Sequence, residues 1–242
     1  MMHDVKAVLL VGGLGTRLRA VVPSAPKPLA RVGDRPFLEL LVRQLRNQGV
    51  RRLVMSTGYL ADQIEQEFGD GRGLDVEIEY SREPHPLGTA GAVKFAQTYL
   101  QNAADFVVMN GDSFMEVDFG QLIRFHHAHN AVVSMAVRKV PDAERYGTVR
   151  LDSKSRVIAF AEKAGIAAPG LVNAGVYVFR REVLDSIPEG ASSLEKDTFP
   201  KLLETGVYAL EQQGVFIDIG TPEDYVRAQA IFDRLSAAAL SK

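Results

Sequence analysis

The residues best suited to chemistry gather near the N-terminus, where Gly12-Gly13-Leu14-Gly15-Thr16-Arg17 is followed by Pro26-Lys27-Pro28. Three glycines in four positions let the backbone turn sharply and let a ligand approach the peptide N–H groups with no Cβ in the way. N–H groups pointing into one concavity cradle phosphate oxygens. Arg17 adds a planar, permanently charged fork, and Lys27 a compact point charge on a backbone stiffened by the prolines beside it. Farther along, Asp112 closes a strongly apolar run next to Gly111. A carboxylate there is placed to hold Mg²⁺ on triphosphate oxygens, the alternative being an ordinary turn aspartate. Together these residues suggest a nucleoside triphosphate site. No Walker A string is present, and Leu18 stands where a dinucleotide fingerprint needs its third glycine.

The elements that must position these groups follow a βαβ rhythm. Val5 to Val11 reads as a buried strand feeding the glycine turn. A helix from Pro36 to about Gln48 carries Phe37, Leu40, Leu41 and Leu45 on one face and stops at Gly49. Arg52–Thr57 is a strand, a short helix covers about Ala61–Phe68, and Asp75–Tyr80 alternates as a strand with one wet face. Glu83 to Ala92 opens a helix reaching about Leu100, Asp105–Asn110 is a strand, and Phe119–His129 is a helix. This succession predicts an α/β fold with a mainly parallel sheet, its ligand lying at the carboxyl ends of the strands. From Ala131 the pattern turns β-rich, with runs at Ala131–Val137, Gly147–Leu151, Val157–Ala161 and Asn173–Phe179. His126, His127 and His129 point in different directions on a helix and read as a solvated helix end. Ser193 lacks the partner of a full capping box, which leaves room for another serine-to-acid pairing. Thr221 and Pro222 make a good start for a last helix, whose Ala-rich tail is either a terminal cover or an oligomer contact.

Composition sets the outer limits. The chain has 242 residues, is 46% hydrophobic and 24% charged, and carries a formal net charge of −2. That balance gives no reason to expect nucleic acid or an anionic membrane as partner. No apolar run approaches a membrane span and no signal peptide precedes the first strand, so the cytoplasm is the expected location. Without cysteine there is no disulfide, thiolate metal site or cysteine nucleophile.

The string Gly12 to Leu18 with Pro26-Lys27-Pro28-Leu29 resembles the sugar-1-phosphate nucleotidyltransferases. So do Pro86-Leu87-Gly88-Thr89-Ala90-Gly91, Asn110-Gly111-Asp112, Phe160-Ala161-Glu162-Lys163, Asn173-Ala174-Gly175-Val176-Tyr177 and Asp218-Ile219-Gly220-Thr221-Pro222. The resemblance implies a single Rossmann-like, GT-A-like domain without a C-terminal β-helix. A nucleotide half would cover about residues 1–130 and a sugar-phosphate half about 131–242. It makes Arg17, Lys27 and Asp112 catalytic, and assigns Leu10, Gly12, Gly13, Gly15, Thr16, Gly88 and Thr89 to the nucleotide. It assigns Gly147, Glu162, Lys163 and Asn173 to the sugar phosphate, with Lys163 on its phosphate, and makes Asp218 the second Mg²⁺ ligand beside Asp112. Glu195 either reaches the sugar or does not. Val11 departs from the alanine usual in relatives.

The partners implied are a nucleoside triphosphate and a sugar 1-phosphate. Glu83 argues for GTP, because a carboxylate accepts both N1–H and N2–H of guanine whereas uracil and thymine offer one N–H between two carbonyls. The alternative is a Glu83 that faces solvent. The segments Arg17–Val22, Pro26–Ala30 and Arg35–Glu39 look most like the D-glycero-α-D-manno-heptose 1-phosphate guanylyltransferases, which supply bacterial surface polysaccharides such as capsule or lipopolysaccharide. Rival readings are a mannose-1-phosphate guanylyltransferase, a pyrimidine-using relative, a non-catalytic sugar-nucleotide-binding protein and a dinucleotide-dependent dehydrogenase. A homo-oligomer is compatible with all of them.

Overall fold

The computed structural model describes residues 5–18, 21–161 and 168–240. Strand β1 (Lys6–Leu10) leads through the glycine loop to a small hairpin, β2 (Arg31–Val32) and β3 (Arg35–Pro36). Helix α1 (Phe37–Asn47) then returns the chain for β4 (Arg52–Thr57), and α2 (Ala61–Phe68) for β5 (Glu77–Arg82). Helix α3 (Gly88–Phe95) tightens into a 3-10 stretch at Ala96–Leu100 before β6 (Asp105–Asn110), β7 (Ser113–Met115) and α4 (Phe119–Ala128). The second half contributes β8 (Val133–Val140), β9 (Thr148–Leu151), β10 (Val157–Ala161), β11 (Gly170–Arg180), α5 (Val183–Ser186) and α6 (Phe199–Gly206). It ends with β12 (Val207–Glu211), β13 (Phe216–Asp218), α7 (Pro222–Ala230) and α8 (Phe232–Leu240).

A mixed sheet forms the centre, in the order β10-β9-β11-β6-β1-β4-β5, with β8 paired to β11 and β12 to β8. Strands β6, β1, β4 and β5 are mutually parallel, while β11 runs antiparallel to β6. Successive residues of a strand face opposite sides, so β1 sends Ala7 and Leu9 into one core and Val8 into the other. The first core is closed by α1, α7 and α8, the second by α3 and α6. Helix α8 lies against α1, where Asn47 Nδ2 donates to the Ala239 carbonyl at 2.8 Å. The Ala-rich helix thus covers α1 on its inner face. Among the described residues no helix is long and apolar enough to cross a membrane.

The chain leaves β1 toward β4 on one side and returns to pair β6 on the other, which makes the carboxyl ends of β1 and β6 the switch point of the sheet. Leu10 and Asn110 are register partners there, and the Gly111 amide donates to the Leu10 carbonyl. The glycine loop and Asp112 therefore start side by side. Asp218 arrives by a separate two-stranded ladder, in which it stands opposite Ser113. That ladder joins two segments about a hundred positions apart in sequence.

Two expectations need correction. His126 is fully buried rather than solvated: its Nδ1 lies 3.0 Å from Ser134 Oγ, and both His126 and the exposed His127 address Asp105. Its spacing from Phe119 and Leu122 places it on the apolar face of α4, a periodicity that the cluster of polar names obscured. The strand expected at Asp75–Tyr80 runs instead from Glu77 to Arg82, because Gly71 to Asp75 form a 3-10 turn with left-handed ends. Ser193 caps a π-helical run, Leu194–Thr198, and the further serine-to-acid pairing left open by the sequence is present. Its Oγ accepts the Lys196 N–H while its own N–H donates to Asp197, one position beyond the usual capping-box partner.

Candidate active site

A cleft with two lobes opens along the carboxyl ends of the strands, and Arg17, Asn110, Asp112 and Gly220 line both lobes. The first lobe, about 360 Å³, is walled by Leu10 to Arg17, Lys27, Glu83, Pro86, Gly88 and Thr89. Every residue expected to bind the nucleotide lies on this wall. The amides of Gly12, Gly13, Leu14 and Gly15 have no hydrogen-bond partner among the described residues. They are available to an anion. Gly15 sits at φ +58°, and a Cβ there would come within 2.9 Å of Lys27 Cβ. The loop thus needs glycine both for its backbone and to let Lys27 pass. Val11 is buried, with Cγ1 against Gly111, so its departure from the family pattern is absorbed by packing.

Glu83 is half-buried on the wall of this lobe and does not face solvent. Its Oε2 accepts the Leu87 N–H at 3.0 Å and Oε1 the Ser56 hydroxyl at 3.3 Å, which ties down the Pro-rich loop. Burial pushes its carboxyl above the usual range, against the pull of these two donors. Each carboxylate oxygen still has a lone pair free for a further donor. Gly88, at φ +70°, packs its backbone on the Ser192 carbonyl, where any Cβ would fall 2.5 Å away. This contact locks the start of α3 to the second half of the chain.

Charge concentrates where the lobes meet. Lys27, with 9% of its side chain exposed, donates from Nζ to Asp112 Oδ2 at 2.7 Å and lies 3.8 Å from Asp218 Oδ1. Ser113 Oγ donates toward Asp112 at 3.3 Å and Asp218 at 3.4 Å. Burial works to raise the Asp112 carboxyl, but the charge and hydrogen bond of Lys27 outweigh it and hold it below the ordinary range. For Asp218, burial and the nearby Asp112 charge win over Lys27 and push it up to about 6. Two carboxylates share one ammonium, leaving the pair short of positive charge. Such a donor set, with about a third of each carboxylate open at the cleft floor, fits a divalent cation that takes its other ligands from phosphate and water.

The second lobe, about 470 Å³, is lined by Tyr146, Gly147, Phe160, Asn173, Glu195, Asp218 and Thr221 among others. A bulge in β11 shapes it: Gly175 adopts φ +72° against the Asn110 side chain, and the β8 register shifts between Asn173 and Tyr177. Asn173 is thereby turned to the cleft, its Oδ1 accepting the Gly175 N–H and its Nδ2 donating to Tyr177 Oη at 2.7 Å. Glu195 accepts from Thr89 Oγ1 at 3.0 Å and from Ser193 Oγ at 2.9 Å, so it bridges the two lobes. Glu162 and Lys163 lie outside the described residues. Sequence reasoning missed Ser113, Tyr177 and the Arg145–Asp224 pair on this side. Tyr177 stood within a quoted motif, but Arg145 and Asp224 had no local signal.

The chain matches the nucleotidyl transferase family over residues 6–234, and it belongs to that family. It is 41% identical, over 94% of its length, to a mannose-1-phosphate guanylyltransferase of Mycobacterium tuberculosis, of which it spans 64%. It is 40% identical to a D-glycero-alpha-D-manno-heptose 1-phosphate guanylyltransferase of Aneurinibacillus thermoaerophilus, over 93% of this chain and 96% of that one. Among solved structures, HddC from Yersinia pseudotuberculosis complexed with GMP-PN superimposes with a TM-score of 0.84 at 35% identity, covering 94% of this chain and 99% of that chain.

Proposed function

We propose that the chain transfers GMP from GTP to D-glycero-α-D-manno-heptose 1-phosphate, releasing pyrophosphate and forming a nucleotide sugar for surface polysaccharide. The observation that carries this reading is the meeting of a free-amide loop, two carboxylates and a lysine at the junction of two ligand-sized lobes. Relatives named for either sugar are guanylyltransferases, which supports the base inferred from Glu83. An anionic oxygen of the sugar phosphate attacks the α-phosphorus, forming a new P–O bond as the bond to the β-phosphate breaks. The electron pair leaves with pyrophosphate. Because the nucleophile is already ionised, no general base and no covalent enzyme intermediate are required, and positioning with charge neutralisation carries the catalysis.

The Gly12–Gly15 amides and Arg17 hold the departing phosphates, and Lys27 moves from its carboxylates to the α-phosphate. Glu83 accepts from the guanine edge, with Gly88 and Thr89 beside it. Gly147, Asn173, Glu195 and the residues at 162 and 163 hold the sugar phosphate. Asp112 and Asp218 would hold Mg²⁺, which supplies charge neutralisation to the phosphates when bound.

Mannose 1-phosphate is the second reading, favoured by the 41% identical relative. Pyrophosphate release with Mg²⁺, measured over a grid of GTP, UTP and dTTP against heptose, mannose and glucose 1-phosphates, separates the two. We expect GTP with the heptose phosphate to turn over fastest. Release with no pair would refute the enzyme reading, and a preference for mannose 1-phosphate would reassign the sugar.

A further inference from the structure

Behind the sugar lobe lies a third hollow of about 490 Å³ that the transfer reaction leaves unused. Arg138, Lys139, Arg145, Arg227 and Arg234 line it, against one carboxylate among the described residues, that of Asp142. The chain as a whole is slightly acidic, so this concentration of positive charge is local. Compensation is incomplete. The buried Asp224, which lines the sugar lobe, accepts both Arg145 and Arg227 on the same Oδ1, each at 2.9 Å. Among the described residues Arg138 donates only to neutral oxygens, the Gln212 carbonyl and Gln213 Oε1. Neither the Lys139 nor the Arg234 side chain has a hydrogen-bond or ion-pair partner among the described residues.

Repulsion among these groups would be relieved by a bound anion, and guanidinium forks suit phosphate oxygens in particular. The hollow is concave and of small-ligand size, unlike the flat surface that a membrane or nucleic acid would need. Val140, Val215 and Ile231 supply an apolar floor between the charges. We infer that this hollow is a second anion site, taking a small phosphorylated molecule of the diphosphate class. Arg145, Tyr146 and Phe216 line both this hollow and the sugar lobe. An anion here competes with Asp224 for its two arginines, and Asp224 also accepts the hydroxyl of Thr221, the residue that caps α7 at the edge of the sugar lobe. Occupancy is therefore felt across the shared wall. None of this depends on which sugar phosphate is the substrate.

The test is a titration of the ligand-free chain with inorganic pyrophosphate, without metal, followed through backbone amide chemical shifts. Saturable shifts at Val215, Ala230 and Ile231 are expected, separate from any response at Gly13 and Gly15. The double variant K139E/R234E should weaken the response at the hollow about tenfold or more, the loss of two charge-assisted contacts, and leave the glycine-loop response unchanged. The neutral K139Q/R234Q pair should give an intermediate loss, which guards against a folding defect. Inorganic phosphate should bind more weakly than pyrophosphate. The proposal is overturned if those amides stay still, move without saturating, or respond equally in the charge-reversed variant. Equal affinity for phosphate and pyrophosphate would remove the diphosphate assignment.

Discussion

The two lobes of the cleft are built in different ways. The nucleotide lobe is made mostly by loops that follow β1, β5 and β6 directly, so its chemistry comes in a few short runs of sequence. Residues 144 to 224 make most of the sugar lobe, brought together by a bulge, a short ladder and the start of α7. The lesson is that the first lobe is shaped mainly by turns that follow single strands, whereas the second is assembled mainly by long-range contacts, with Gly88, Thr89 and Glu195 tying the two together.

Breaking the junction should have the largest effect, because it serves both lobes. Lys27→Ala should reduce turnover about 10²- to 10³-fold, the scale of losing one preorganised charge donor, with the fold intact by circular dichroism. Near-full turnover would remove Lys27 from the mechanism. Glu83→Gln should act on one lobe only. It replaces two acceptors by an acceptor and a donor, and we expect the GTP-over-UTP preference to fall about 10- to 100-fold while the KM for the sugar phosphate stays put. Asn173→Ala should do the reverse, raising the KM for the sugar phosphate about tenfold with the KM for GTP unchanged. If each variant moves both KM values equally, the lobes are not separable.

The smallest effect belongs to the far end of β6 and serves as a control. The His126 ring, 3.7 Å away, and the His127 hydrogen bond at 2.7 Å hold the Asp105 carboxyl below its ordinary range, against the opposing effect of burial. A depressed carboxyl contributes stability that is present above the unfolded pKa and lost as pH falls through the folded one. Asp105→Asn should therefore cost about 1 kcal/mol near neutrality by urea denaturation, and the deficit should vanish once pH falls through the depressed range of the Asp105 carboxyl, without any change in kcat. A deficit that persists undiminished below that range would reverse the assignment.

The same contrast explains what could be read in advance. The glycine loop, the strands Arg52–Thr57 and Asp105–Asn110 and the helix Ala61–Phe68 were legible because each depends on local periodicity or turn chemistry. Asp218 was found only through its motif, since its place beside Asp112 depends on the pairing of β13 with β7. Arg145 and Asp224 carried no signal at all: a polar connection and a helix start meet only in the folded chain. Lys27 stood out in the sequence as a cation between two prolines, but its contacts with the two aspartates are ones that no spacing rule reveals.

Direct transfer across the junction is the central claim, and one measurement addresses it. Rapid acid quench of the chain with α-³²P-labelled GTP, Mg²⁺ and heptose 1-phosphate should show label passing from GTP to the nucleotide sugar, with unlabelled pyrophosphate formed in step and no label on the protein at any time. Label retained on the quenched protein, or pyrophosphate released without labelled nucleotide sugar, would contradict the account.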